Sequence, residues 1–321
     1  MTSAPRPFLL TTGSVMDHVV ERQLAEHFTL VGGMDVEGAI AAHGPEIRAI
    51  ATRGRLKVDE AMMALLPKLE IVSNFGVGYD TVDASAAAKR GVVVTNTPEV
   101  LNEEVADLTL GLLLATVREI PQADRFLREG KWLNGAYPLG LTLRERKVGI
   151  VGMGRIGKAI ARRIEAFGLP ISYYTRTPQA DLPYRHYGDL VAMAADVDTL
   201  ILILPGGPST KHLINAQVLE ALGPDGILIN VARGTVVDEQ ALIAALKAGT
   251  IRAAGLDVFE DEPRVPAELI AMQNVVLLPH VGSSTHYTRT AMGQLVVDNI
   301  LSWFGGKGPI TPVAETPWPK A

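Results

Sequence analysis

The sequence contains no cysteine among its 321 residues. Disulfide bonds, thiolate nucleophiles and cysteine-ligated zinc sites are therefore excluded. It contains seven histidines, but none of them belongs to an HExxH motif. The one close pair, His280 and His286, has no carboxylate at ligand spacing. We therefore expect no metal site, and a metal-dependent hydrolase is a distant alternative.

Long runs of one charge sign and long apolar runs are also missing. The 30 basic and 35 acidic residues give a net charge of −5, and nothing in this balance indicates a nucleic-acid footprint or a basic membrane patch. The longest apolar stretches, 108–117 and 191–205, are too short or too interrupted to cross a bilayer. Residues 1–14 show no signal-peptide pattern. We expect a cytoplasmic protein that binds neither nucleic acid nor membrane.

Short β-branched or aliphatic runs alternate with amphipathic helical patterns along the chain. This alternation predicts the α/β class, with parallel sheets covered by helices on both faces. The predicted strands are 8–10, 47–51, 71–73, 92–95, 147–151, 171–174, 199–204, 227–230, 254–257 and 275–278, and helical patterns include 59–66, 154–167, 216–222 and 238–248.

Two longer helical stretches, 103–130 and 285–306, have the length of connections between domains. They predict two Rossmann-like, doubly wound parallel-sheet domains with a cleft between them. One domain comprises residues 1–99 and 286–321, and the other comprises residues 100–285. We expect irregular structure in the proline-rich tail, 309–321.

A glycine motif follows the predicted strand 147–151. Gly152, Gly154 and Gly157 form GxGxxG directly after this strand and open a helical pattern. The first glycine permits a tight turn, the second lets the backbone approach a pyrophosphate, and the third lets the helix pack on the strand. The helix N-terminus offers free N–H groups to phosphates. In this context the motif predicts a dinucleotide site along Gly152, Met153, Gly154, Arg155, Ile156 and Gly157.

The acid that NAD-selective sites carry is absent. Such a site has a carboxylate about 20 residues after the glycines, which binds the ribose 2′-hydroxyl. Here the second strand is followed by Thr175, Arg176 and Thr177, and no Asp or Glu lies between Glu165 and Asp181. A carboxylate would repel a 2′-phosphate, whereas a guanidinium and two hydroxyls would bind one. The alternative is a solvated surface arginine, but the missing acid favours NADP(H) as the cofactor.

Polar side chains follow three later predicted strands. Arg233 comes after the strand 227–230, and His280 comes after the strand 275–278. Asp257 ends the strand between them, with Glu262 five residues further on. Ligands of open α/β sheets bind at the carboxyl ends of the strands, so these groups can meet on one molecule.

The chemistry of this set fits the reduction of a ketone. Hydride delivery leaves charge on the oxygen, and a histidine is suited to donate the proton. A carboxylate would orient it and an arginine would clamp the substrate. The structural alternatives are a loop histidine capped by backbone, a helix-start Glu262, and an Arg233 paired with Asp238. Beside the glycine motif the catalytic interpretation is favoured over a dinucleotide-sensing binding protein, such as a transcriptional corepressor on the same scaffold.

These motifs identify a family. Over nearly its whole length the chain resembles the D-isomer-specific 2-hydroxyacid dehydrogenases, in NFGVGYDTVD (74–83), NTPEVLNEEVADLTLGLLLA (96–115), VGIVGMGRIG (148–157), NVARGTVVDE (230–239), GLDVFEDEP (255–263) and LPHVGSST (278–285). The arginine after the second strand is most similar to the NADPH-dependent glyoxylate/hydroxypyruvate reductases. Hydroxyphenylpyruvate reductases are the alternative.

The resemblance implies roles for individual residues. Arg233, Glu262 and His280 are expected to be catalytic, and Asp257 to lie near the nicotinamide carboxamide. Residues 1–99 with 286–321 would bind substrate, residues 100–285 would bind NADP, and two cofactor domains would form a homodimer. Small-residue turns form anion nests, so the N–H groups of Val77 and Gly78 are expected to hold the substrate carboxylate. The remaining predicted cofactor contacts are Thr175, Arg176, Thr177, Pro205, Val231 and Gly282, and the predicted substrate contacts are Val77, Gly78, Arg53, Arg233 and His280.

Three side chains leave a choice open. Arg53 follows a strand end and either contacts the substrate or lies on the surface. Trp132 and Tyr137 belong to the segment 131–147, which either reaches the partner subunit's site or carries aromatic packing anchors.

Overall fold

The computed structural model describes residues 5–54 and 56–318, and the chain divides into two compact units. Unit 1 comprises Met1–Leu101 and Thr285–Ala321, and unit 2 comprises Asn102–Ser284. The substrate-binding and cofactor-binding roles of the two predicted domains stay predictions. None of the described helices has the length and apolar character needed to span a membrane.

Unit 1 begins with alternating strands and helices. Its strands pair in the order β2–β1–β3–β4–β5, and every pair is parallel. The central strand β3 is buried at all but one position, as a parallel sheet covered on both faces requires. The elements are β1 (Phe8–Thr12), α1 (Val20–Leu24), β2 (Thr29–Gly33), α2 (Val36–His43), β3 (Ile47–Thr52), α3 (Glu60–Ala64), β4 (Ile71–Asn74), α4 (Ala84–Lys89) and β5 (Val93–Thr95).

Unit 2 contains a larger parallel sheet, in the strand order β12–β11–β10–β9–β6–β7–β8. Its elements are α5 (Asn102–Val117), α6 (Ile120–Arg128), β6 (Val148–Val151), α7 (Arg155–Glu165), β7 (Ile171–Tyr174), β8 (Arg185–Tyr187), α8 (Leu190–Asp196), β9 (Thr199–Leu202), α9 (Ala216–Leu222), β10 (Ile227–Asn230), α10 (Glu239–Ala248), β11 (Ala253–Leu256), α11 (Ala267–Ala271) and β12 (Val275–Leu277). The last helix, α12 (His286–Phe304), belongs to unit 1.

The core of unit 2 lies on both faces of its sheet. Leu200 and Leu202 of β9 pack into one buried apolar cluster, and Ile201 between them packs into another. Because successive strand residues point to opposite faces, these clusters cover the two sides of the sheet. The order in which successive strands are added to the sheet reverses between β6 and β9, and ligands of open α/β sheets bind at such a switch point.

Most helices begin where a short polar residue caps them. Asp35, Asp59 and Asp83 each accept a hydrogen bond from the N–H three residues further on, and α2, α3 and α4 begin directly after them. Asn215 and Asp238 do the same for α9 and α10. Such caps satisfy N–H groups of the first turn that have no helical partner. The helices predicted at 59–66 and 238–248 therefore start one residue later, because each predicted first residue is the cap.

The predicted strands are confirmed to within three residues at each end, but two strands were not predicted. β2 and β8 each lie at one edge of their sheet, and each pairs on one side only, so neither needs a fully apolar sequence. The helical stretch 103–130 is two helices, because Glu119 between them has a left-handed φ of 51°.

The tail from 309 to 318 contains one isolated bridge, Thr95 to Pro312, and no helix or longer strand. Residues 319–321 of that prediction, and residues 1–4 of the N-terminal one, lie outside the described residues.

Candidate active site

The predicted site residues of unit 2 lie along the carboxyl edge of its sheet. On one side of the switch point, His280 and Gly282 follow β12, Asp257 follows β11, Val231 follows β10 and Pro205 follows β9. On the other side, Gly152 follows β6 and Thr175 follows β7. The two sides of the β6–β9 switch point are therefore both lined by predicted residues.

The glycine turn after β6 is fixed by packing. Gly152 has a φ of 100°, and a Cβ there would lie 2.2 Å from the carbonyl oxygen of Ile203. A Cβ at Gly157 would lie 2.3 Å from the carbonyl oxygen of Gly152. By contrast, a Cβ at Gly154 would meet nothing within 4 Å. Two glycines thus hold α7 against the strand, and the third leaves open space at the helix N-terminus, which fits a dinucleotide pyrophosphate.

The residues between these glycines differ in exposure. The side chain of Met153 is buried in the core, and its carbonyl accepts a bond from Gln179 Nε2 at 2.8 Å. Arg155 is exposed and Ile156 is half-buried. A contact from Met153 to a cofactor can therefore come only from its backbone.

The loop carrying Arg176 is held by its neighbours. The Tyr173 hydroxyl accepts a bond from the Gln179 N–H at 2.9 Å, and His186 Nε2 lies 2.9 Å from the carbonyl oxygen of Thr175. The Thr175 hydroxyl donates to the carbonyl of Thr177 at 2.7 Å. Neither Tyr173, Gln179 nor His186 was predicted to shape this site, since nothing in the sequence pairs them with the loop.

The side chain of Arg176 has no charged partner among the described residues. It is exposed and makes no hydrogen bond or ion pair with any residue in the described part of the chain. Asp181, the first acid after the loop, forms an ion pair with Lys158 of α7 at 3.0 Å. This acid is therefore paired with α7 and not with Arg176.

His280 and Glu262 form a hydrogen-bonded pair. His280 Nδ1 lies 2.7 Å from Glu262 Oε2, and the side chains are 47% and 35% exposed. Burial raises the pKa of Glu262, but the hydrogen bond and charge of His280 outweigh it, so this pKa lies below its ordinary value of 4.5. Glu262 is therefore ionised at neutral pH. No helix begins at Glu262, since α11 starts at Ala267, so the helix-start alternative is wrong.

Asp257 fixes the backbone after His280. It is 2% exposed, and its two oxygens accept bonds from the N–H groups of Val281 and Gly282 at 2.7 and 2.8 Å. Burial raises the pKa of Asp257, although both bonds oppose the rise. His280 has a left-handed φ of 54°, which a non-glycine residue adopts only where its surroundings impose it. The predicted contact of Asp257 with a carboxamide stays a prediction beside this structural role.

Gly234 and Asn230 position the loop that carries Arg233 near Glu262. A Cβ at Gly234 would lie 1.8 Å from the carbonyl carbon of Phe259, so only glycine lets this loop reach the backbone before Glu262. Asn230, at the end of β10, donates to the Arg233 carbonyl at 3.1 Å. The positive charge of Arg233 contributes to lowering the pKa of Glu262. Unit 2 thus brings the three predicted catalytic residues together.

The predicted substrate residues of unit 1 lie at the carboxyl ends of β3 and β4, which are neighbours in the sheet. Val77 and Gly78 are half-buried, and no described residue accepts a hydrogen bond from either N–H group. Arg53 is exposed, with its guanidinium carbon 5.8 Å from the centre of the Phe75 ring. The guanidinium carbon of Arg289 lies 5.5 Å from the same ring, a position that no sequence motif indicated.

The two aromatic residues of the segment 131–147 differ. The Tyr137 hydroxyl donates to Glu119 at 2.8 Å, and its ring packs edge-on against Phe126 at 5.3 Å between centroids. Trp132 is 66% exposed. Tyr137 is therefore a packing anchor within unit 2. Elsewhere in the described residues, no three His, Asp or Glu side chains lie close enough to hold a metal ion.

A parallel sheet with a glycine turn at its switch point, and a histidine–carboxylate pair on the same edge, are typical of a dinucleotide-dependent dehydrogenase. The sequence profile described as the NAD-binding domain of D-isomer-specific 2-hydroxyacid dehydrogenases matches residues 110–282. The chain belongs to the D-isomer-specific 2-hydroxyacid dehydrogenases.

Relatives cover the chain almost completely. A glyoxylate/hydroxypyruvate reductase A of Arabidopsis thaliana is 45% identical over 301 residues, which is 93% of this chain and 96% of the relative. A hydroxyphenylpyruvate reductase of Plectranthus scutellarioides is 47% identical over 274 residues, 85% of this chain and 88% of the relative. The solved structure of an NADPH-dependent glyoxylate/hydroxypyruvate reductase from Sinorhizobium meliloti, with NADP and malonate, is 52% identical and covers 98% of this chain and 99% of that one, with a TM-score of 0.93.

Proposed function

We propose that this enzyme reduces small 2-keto acids, glyoxylate and hydroxypyruvate among them, to the corresponding 2-hydroxy acids with NADPH. The observation that carries the proposal is the His280–Glu262 pair, joined at 2.7 Å, in the unit that also holds the glycine turn and the exposed Arg176. The activities named for the relatives from Arabidopsis and Sinorhizobium support this choice of substrates.

The cofactor contacts belong to unit 2. When bound, NADPH supplies the hydride from its nicotinamide ring. The α7 N-terminus and the glycine turn would hold the pyrophosphate, and Arg176 with Thr177 would hold the 2′-phosphate. The exposed guanidinium can turn to a phosphate without breaking an existing ion pair. Along the sheet edge the further assigned contacts are Thr175, Pro205, Val231, Asp257 and Gly282.

The proton comes from His280. Its Nδ1 is bound to Glu262, so Nε2 is the nitrogen left to donate to the oxygen of the keto group. The ionised Glu262 fixes the ring orientation and stabilises the charged imidazole before donation. The same pair would accept the proton in the reverse direction.

The substrate contacts are assigned residue by residue. The carboxylate is assigned to the N–H groups of Val77 and Gly78, and the keto oxygen to Arg233 and His280. A guanidinium there both clamps the substrate and stabilises the charge that develops on the oxygen. Arg53, exposed at the end of β3, is assigned to a polar group at the far end of the substrate.

The test is a kcat/KM panel of glyoxylate, hydroxypyruvate, pyruvate and a bulky aryl-pyruvate, each with NADPH and with NADH. We expect the two small keto acids with NADPH to give the highest values. His280→Ala should lower kcat by about 10²–10⁴-fold, and Arg176→Asp should shift the preference toward NADH. A preference for the aryl-pyruvate would favour the hydroxyphenylpyruvate reductase alternative. NADPH binding without turnover would favour a sensing protein, and a wild-type preference for NADH would refute the role of Arg176.

We also infer that the enzyme is a homodimer formed through unit 2. Its segment 119–141 exposes several large apolar side chains: Ile120, Leu127, Trp132, Leu133 and Leu139 are 52–103% exposed. An apolar surface of this kind on a water-exposed segment is typical of a protein interface. The cytoplasmic location stays a prediction from the N-terminal sequence, and cell fractionation would test it.

A further inference from the structure

The loop after β4 in unit 1 has three successive carbonyl groups bound by asparagine side chains. The carbonyls of Gly76 and Gly78 accept bonds from the same Asn74 Nδ2, at 3.2 and 3.0 Å. The carbonyl of Val77, between them, accepts a bond from Asn96 Nδ2 at 2.8 Å. The two asparagines thus bind every carbonyl from Gly76 to Gly78.

These bonds set the direction of the N–H groups in the loop. In a trans peptide the carbonyl and the following N–H point in opposite directions. The bound Gly76 carbonyl therefore directs the N–H of Val77 away from Asn74, and the bound Val77 carbonyl directs the N–H of Gly78 away from Asn96. Within residues 5–54 and 56–318, neither N–H has an acceptor. Two adjacent free donors of this kind form an anion nest.

We propose that Asn74 and Asn96 are positioning residues for the substrate carboxylate, because they hold the loop carbonyls so that the N–H groups of Val77 and Gly78 face the anion. The inference rests on the proposed function, since it concerns the carboxylate of the same 2-keto acid. Both asparagines act through the loop.

The buried amide of Asn74 is not explained by packing alone. It is 1% exposed, and its Oδ1 is buried without a hydrogen-bond partner in the described structure. A buried acceptor left unpaired destabilises the fold. An apolar residue of similar size would avoid that cost, but it could not donate to the two carbonyls. The retained amide is therefore consistent with a role in shaping the loop.

Asn96 is itself fixed from the far end of the chain. Its backbone carbonyl accepts a bond from the Thr311 hydroxyl at 2.6 Å. The N–H of Thr311 donates to Asn299 Oδ1 at 2.9 Å, and Asn299 is fully buried on α12. These bonds hold Asn96 in place without a ligand, so less of the cost of ordering the nest falls on the binding step.

The decisive variants are Asn96→Ala and Asn96→Asp, because Asn96 is half-buried and contributes one side-chain bond to the loop. Asp has nearly the shape of Asn, but it offers a carboxylate to the Val77 carbonyl and repels an anion in the nest. We expect the KM for glyoxylate and the Ki for malonate to rise about tenfold in Asn96→Ala, the loss of one hydrogen-bond equivalent, and further in Asn96→Asp. If Asn96 only packs, the order of the two variants reverses, and the proposal is wrong.

Malonate serves as the probe because it carries a carboxylate and is not reduced, so its binding reports on the nest without the chemistry. The Kd of NADPH, followed by nucleotide fluorescence, should stay at the wild-type value in both variants, and a parallel rise would overturn the proposal as general damage. Asn74→Ser, checked by thermal unfolding, is the second variant and should show the same selective loss. The matched control is Asn274→Ala, which removes an amide bond to the Arg252 carbonyl in unit 2 and should change neither constant.

The two proposals fail in different ways. If the wild type reduces no 2-keto acid with NADPH, the proposed function fails and the inference falls with it. If the wild type reduces glyoxylate while Asn96→Asp keeps its KM and malonate Ki within about twofold, a change too small for a lost hydrogen bond, the inference alone is refuted.

Discussion

Glu262 connects the acid–base chemistry to the fold at the scale of single residues. It binds the imidazole of His280 at 2.7 Å and also accepts the N–H of Phe259 at 3.2 Å. Its pKa is lowered although burial acts in the opposite direction. The carboxylate is therefore charged throughout the range in which an imidazole gains and loses its proton, and it stabilises the proton-donating form.

Replacing this charge by a neutral amide should lower both activity and stability, and each effect should have its own pH dependence. In Glu262→Gln we expect kcat for reduction to fall at least about tenfold, with activity lost at lower pH than in the wild type, because the charged imidazole loses its partner. A pH profile of kcat/KM from pH 5 to 9, roughly the range in which histidine titrates, measures this shift. A variant profile that coincides with the wild-type profile would refute the role of Glu262.

The stability effect has a definite sign. The folded-state pKa of Glu262 lies below its ordinary value of 4.5, so its ionisation stabilises the folded state above that pH. The contribution is lost as the pH falls through the folded-state pKa. The difference in Tm between the wild type and Glu262→Gln should therefore be largest near neutral pH and shrink below about pH 4.5.

At the scale of elements, the same device recurs where strands end. Asn74 ends β4, Asn230 ends β10 and Asp257 follows β11, and each is buried and binds the backbone of a loop that carries site residues. A short polar side chain at a strand end can replace the ladder that stops there, because it offers the next loop a donor or an acceptor. The residue types are visible in the sequence, but their partners are not.

A substitution at Gly234 tests whether the loop that carries Arg233 must approach the loop that carries Glu262 closely. Alanine there would place its Cβ 1.8 Å from the Phe259 carbonyl carbon, so the Arg233 loop must move away from Glu262. We expect Gly234→Ala to lower kcat/KM for glyoxylate by at least about tenfold, while the Kd of NADPH changes little. Gly188→Ala is the control, because a Cβ there meets nothing within 4 Å. Equal kcat/KM values in the two variants would show that the close approach has no catalytic role.

At the scale of the whole molecule, the exposed apolar side chains of segment 119–141 predict that the chain forms a dimer. We expect the wild type to sediment as a dimer of its 34.3 kDa chain. Leu133→Asp combined with Leu139→Asp should shift it to the monomer, because these side chains are 92% and 103% exposed in the isolated chain. Met34→Asp is the control, since Met34 is equally exposed but lies in unit 1. A monomeric wild type, or a variant that stays dimeric, would contradict the prediction.

The sequence by itself determined the α/β class, the parallel strands except at two sheet edges, the starts of six helices, the glycine turn and the missing acid beside Arg176. These features depend on side-chain periodicity, capping and turn chemistry, which act over a few neighbouring residues. Only the tertiary structure decided that His280 meets Glu262, that Asp257 binds the loop after His280, and that Asn96 leaves the Gly78 N–H free. Each of these contacts joins residues 18 to 25 positions apart, and such pairings follow from how the strands are ordered and packed, which no local pattern encodes.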